Sequence, residues 1–147
     1  MGYDFSNVTR LGVSDKTARY EIVEWTDTPK PVLLLKPGGS ENRPYFNAML
    51  REMGQNEMRA LKRGIMTAEQ LDKTREVARR LIPEHCVAGW EGVKDYGGAL
   101  VPFTVEACKD LFRAMPDYMV DGVRGFIDEP GNFLAGPAVD VAAVAGN

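Results

Sequence analysis

The hydrophobic periodicity of the chain changes at Asn42, and that change limits the folds open to it more than any other feature. Upstream, Thr17 to Trp25 is rich in β-branched and aromatic residues, and Pro31 to Lys36 forms a second apolar run. Thr26 to Lys30, with Pro29, separates the two. Such a pattern predicts a small antiparallel pair. Pro37-Gly38-Gly39-Ser40 then stops the second strand, because Pro lacks a ladder donor and the glycines favour a turn. From Asn42 onward, Phe46, Met49, Leu50, Met53, Met58, Leu61 and Ile65 recur at helical spacing, with Pro44 suited to a first turn. Gly54 and Gly64 predict a kink in this helix and its end.

Downstream punctuation is helical. Thr67-Ala68-Glu69-Gln70 reads as a capping box, with Met66 and Leu71 placed for a hydrophobic staple. The helix it opens continues through Val77, Ala78, Leu81 and Ile82 to Pro83, which either kinks it or opens a short further helix through Val87. Asp95-Tyr96-Gly97-Gly98 marks a turn, and Ala99 to Phe103 a short extended piece. Thr104 is placed to cap a helix with Val105, Cys108, Leu111, Phe112 and Met115 inward. Pro116 ends that helix and starts another, with Met119, Val123, Phe126 and Ile127 inward, finishing near Pro130. The expectation is a mainly α chain of the α+β class, with a small N-terminal antiparallel β element (residues 1–40) and about four to five packed helices (residues 42–133). At 147 residues this makes one compact domain over 1–133. Residues 134–147, mostly Ala, Val and Gly, read as a flexible or partner-bound arm in which Val139 and Val141 are candidate contacts.

Charge bounds the partners. The net charge of −3 argues against nucleic acid, whose affinity for proteins rests on Lys and Arg neutralising phosphates. Residues 43–80 carry 9 basic and 5 acidic groups, whereas residues 81–147 carry 4 and 10. Opposite fields of this kind either dock on each other within the fold or orient copies or partners, which makes a homo-oligomer one expectation. No apolar run approaches the ~20 residues that cross a bilayer, and Met1 to Phe5 lacks the basic start of a signal peptide. A soluble intracellular protein, with no membrane partner, is expected.

The residues offer little for catalysis. His85 is the single histidine, and its sequence neighbour Cys86 would project about 100° away on a helix, unfavourable for a thiolate–imidazole pair. Cys86 and Cys108 have no metal-knuckle or redox spacing. Lys36 to Ser40 lacks the closing Gly-Lys-Ser/Thr of a phosphate loop. Acidic pairs such as Asp117 with Asp121 read as a solvated helix face. No enzyme, cofactor or metal site is therefore expected. Met49, Met53 and Met58 serve either an irregular core or an adaptable contact surface, and Trp90 either a fold anchor or a partner contact.

Three stretches also carry a resemblance. Asn42-Arg43-Pro44-Tyr45-Phe46-Asn47-Ala48, Gly89-Trp90-Glu91-Gly92-Val93-Lys94-Asp95 followed by Val101-Pro102-Phe103-Thr104, and Met115-Pro116-Asp117 with Asn132-Phe133 behind them stand in this order. In these, over residues 15–133, the chain resembles small tail assembly chaperones of tailed bacteriophages; Pro83 and the Ala/Val-rich tail depart from that pattern. The resemblance implies binding of the tape-measure protein or tail tube subunits during morphogenesis. A structural protein retained in the virion, as a head-decorating or connector component, is the alternative.

Overall fold

The computed structural model describes residues 2, 8, 11–14, 16–26 and 28–134. Three strands form one antiparallel sheet in the order β1-β2-β3: β1 is Ala18–Glu21, β2 Val32–Leu35 and β3 Val87–Glu91. Tyr20 pairs with Leu33, and Leu33 with Trp90. Five α-helices follow the period change: α1 (Arg43–Met53), α2 (Gln55–Arg63), α3 (Ala68–His85), α4 (Val105–Ala114) and α5 (Asp117–Ile127), with a 3-10 turn over Pro130–Phe133. The fold is thus α+β with a small sheet, as expected.

Three expectations are corrected. Val87–Glu91 is a strand, not the end of a helix, because β2 offers its free edge and the chain leaving α3 passes along it. The expected antiparallel pair is therefore a three-stranded sheet whose third strand comes from mid-chain. Of the two readings of Pro83, the further helix is excluded: the residue is buried inside a helix that runs to His85. The long periodic stretch from Arg43 is two helices, parted at Gly54, whose φ of +81° a side chain would strain.

The start signals hold in detail. Thr67 Oγ1 accepts from the Gln70 amide at 3.1 Å, and Gln70 Oε1 accepts from the Thr67 amide at 2.9 Å, closing the capping box. Thr104 Oγ1 accepts from the Ala107 amide at 3.0 Å. Asn42 does more than cap α1. Its Oδ1 accepts from the Tyr45 amide while Nδ2 donates to the carbonyls of Pro37 at 3.0 Å and His85 at 2.9 Å. One side chain thereby ties the end of β2, the start of α1 and the end of α3.

The core lies between the sheet and the helices, with Leu33, Leu35, Ile82, Phe112, Val120 and Ile127 almost fully enclosed. Ion pairs fasten the helices around it. Asp121 of α5 accepts two bonds from Arg75 of α3, at 3.1 and 2.7 Å, and Arg79 reaches Asp117 at 2.8 Å. Lys109 of α4 meets Glu84 of α3 at 2.5 Å. The basic middle and the acidic C-terminal half therefore dock in part on each other within the fold. Phe126 stands edge-on to both Tyr20 and Phe133, at ring-centroid distances of 5.1 and 5.8 Å, closing the helices against β1.

Candidate functional site

Helix α2 is the least committed element. Its apolar residues Met58 and Leu61 share one side, yet no residue of the helix is buried. It ends in a Schellman motif at Gly64, with the Ile65 amide donating to Ala60 and the Gly64 amide to Leu61. An ion pair from Glu57 to Lys73 of α3, at 3.3 Å, fastens its other side.

The half-buried apolar side of α2 overhangs a cleft of about 570 Å³. Tyr45, Phe46 and Met49 of α1 line the cleft beside Met58 and Leu61 of α2. Arg124, Gly125 and Asp128 line it from the end of α5, and Gly38 to Glu41 from the turn after β2. Apolar lining with a few convergent polar groups is the usual build of a recognition site.

The electrostatics of the cleft are uneven. Asp121 is taken up by Arg75, whose hydrogen bond holds its carboxyl below the usual range. Asp128 is exposed as a residue, but its Oδ1 would stand 3.1 Å from a Cβ on Gly38, and desolvation carries its pKa up to about 6. Burial pushes the Tyr45 hydroxyl up strongly, keeping it protonated. On the α2 side, Arg59, Lys62 and Arg63 are exposed, and none forms an ion pair among the described residues. At 100° per residue, Lys62 follows Met58 around the helix and Arg59 follows Lys62, away from the Glu57 side, so these two form a basic edge beside the apolar stripe, while Arg63 falls on the far side of the helix.

The sequence-predicted site residues separate. Met49 and Met53 are buried in the core, Met49 also facing the cleft, while Met58 is half-buried at its wall. Trp90 is elsewhere, on β3. Its Nε1 donates to the Val101 carbonyl at 2.7 Å and its ring stands edge-on to Phe103 at 5.3 Å, so two of the quoted motifs hold each other. Val139 and Val141 lie outside the described residues. Sequence reasoning missed Tyr45, Leu61, Lys62 and Arg124; the helical spacing of Met58 and Leu61 was the available signal for that wall.

The residues weighed for catalysis sit in quiet surroundings. Cys86 and Cys108 are buried, and desolvation pushes both thiols up, Cys108 to about 12, so they stay protonated. His85 Nε2 lies 3.6 Å from its neighbour Glu84. Among the described residues no His, Cys, Asp and Glu side chains gather as a metal-binding group, and no helix is long and apolar enough to cross a membrane.

No curated protein and no solved structure matches the chain. The family model described as YdaY prophage protein matches residues 40–125. The match takes in α1 to α4, β3 and most of α5, and with them the α1 and α2 walls of the cleft together with Arg124 and Gly125. Because it spans more than half of the chain, this phage-derived protein belongs to the YdaY prophage protein family.

Proposed function

We propose that this prophage protein is a tail assembly chaperone that works by binding rather than catalysis, holding the tape-measure protein or tail tube subunits in the host cytoplasm until the tube polymerises. The observation that carries the reading is the cleft under α2, where Met49, Met58 and Leu61 line a recognition-sized space and a whole amphipathic helix stands without a buried residue. Flexible thioethers suit a surface that receives an assembly partner and later releases it. Two further facts support it. The motifs on which the chain resembles tail chaperones serve here as caps and anchors, at Asn42, Trp90 and Thr104. Both thiols are held in their unreactive form.

Co-expression with the tape-measure and tail tube proteins of the same prophage tests the proposal. The expected result is that one of them stays soluble only when this chain is present, and that mass spectrometry of finished particles does not detect the chain. Its presence in particles at fixed stoichiometry would instead identify a structural component of the virion. The double variant His85→Ala with Cys86→Ser keeps the solubilising effect if binding is the activity.

A further inference from the structure

Resting on the reading of this chain as a binder of tail proteins, we propose that the α1–α2–α5 cleft takes one amphipathic helix of a protein partner, with its apolar stripe on Met49, Met58 and Leu61 and an acidic flank along the basic edge of α2. The shape argument starts from α2. A helix with an apolar stripe and no buried residue still has surface to remove from water, and a second helix laid along it would bury Met58 and Leu61 together with the exposed side of Phe46. A volume of about 570 Å³ holds a few large side chains, the number that a helix presents at i, i+3, i+4 and i+7.

Charge selects the kind of helix. Arg59 and Lys62 run beside the stripe with no ion-pair partner among the described residues, whereas the basic groups of α3 that face α1 and α5 are engaged: Arg75 with Asp121, Arg79 with Asp117, Arg80 with Glu52. Arg59 and Lys62 thus stand without an ion pair beside the half-buried apolar stripe that lines the cleft. On the opposite rim Asp121 is bound by Arg75. Glu41 and Asp128 remain, so the partner helix turns its acidic flank to α2 and an uncharged or basic flank to these two.

Two synthetic 18-residue peptides test this, both with Leu at i, i+3, i+4 and i+7, one flanked by Glu and the other by Lys. Each is titrated into the full chain carrying 13C-methyl methionine. The expected result is that the Glu peptide shifts the Met49 and Met58 methyls while Met119, which lines a separate cleft beside Trp25, stays put. Its affinity should fall about tenfold in the Arg59→Ala, Lys62→Ala double variant, the loss expected of two exposed charge pairs. These side chains are both on the surface, and circular dichroism confirms that the variant folds. Equal or tighter binding of the Lys peptide, shifts at Met119 instead, or no shift at all overturns the proposal. So do methyl shifts that follow protein concentration without peptide, which would make a second copy the occupant. If the Glu peptide binds as described while no tail protein is kept soluble in co-expression, the chaperone reading fails and the groove assignment stands.

Discussion

Gly38 and Ile127 are in direct contact across the mouth of the cleft: the Gly38 amide donates to the Ile127 carbonyl at 2.8 Å, and a Cβ at position 38 would lie 2.8 Å from both Cγ1 and Cδ1 of Ile127. The turn after β2 is thereby held against the end of α5. The requirement for glycine comes from this close approach, since the backbone there is ordinary.

Gly38→Ala should consequently cost about 1–3 kcal/mol, the usual range for forcing atoms into a packed contact. Ile127 is almost fully enclosed and has little room to give. Urea unfolding of the two proteins measures the difference, and a loss within experimental error would mean that α5 shifts freely at this point.

Trp90 is half-buried, and its ring joins β3 to the segment before α4 through Val101 and Phe103. Trp90→Ala should destabilise the fold by about 2–4 kcal/mol, toward the lower end for large aromatics because part of the ring already meets water. Trp90→Phe retains most of the apolar area but loses the indole donor, for a cost of about 1 kcal/mol. A Trp90→Phe variant as stable as the parent in equilibrium denaturation would contradict the anchoring role of the Nε1 bond.

How much of this was legible in the sequence depends on the range of each interaction. The caps at Thr67 and Thr104 could be read directly because each joins a side chain to a backbone amide three residues on. The strand Val87–Glu91 could not. It contains Ala and Gly, poor strand formers, and takes its extended form from pairing with β2, more than fifty residues earlier. The cleft was hidden for a related reason. Reading Arg59 and Lys62 as unused requires knowing that Arg75 has found Asp121 at a separation of 46 residues, and no local pattern contains that.

Two carboxyls at the cleft should give opposite pH signatures. Asp121 has its pKa depressed by the hydrogen bond from Arg75, so its contribution is complete above the unfolded value near 3.9 and is lost as pH falls through the lower folded value. Asp121→Asn should therefore remove stability at pH 7 and flatten the acid limb. Asp128 has its pKa raised to about 6, so the folded state holds the extra proton and stability declines as pH rises from the unfolded value to about 6. Asp128→Asn should then gain stability at pH 7 and none at pH 3. Urea midpoints across pH 3–7.5 decide both, and a gain for Asp128→Asn that is constant with pH would show that desolvation does not govern this carboxyl.

The uncovered state of α2 makes a prediction about local opening. Local stability follows buried apolar contact, and α2 has no buried residue and is bounded by glycines at φ +81° and +68°. Its amides should exchange with solvent before those of α3, which encloses Thr74, Val77, Ala78, Leu81, Ile82 and Pro83. Lys73→Ala, which removes the Glu57 partner, should speed exchange in α2 while shifting global stability by less than about 1 kcal/mol, as expected for an exposed pair. Bound Glu-flanked peptide should slow the same amides, because covering Met58 and Leu61 supplies the burial that α2 lacks. Exchange in α2 as slow as in α3 without peptide would mean that the helix is held by the fold itself and that its apolar side needs no partner.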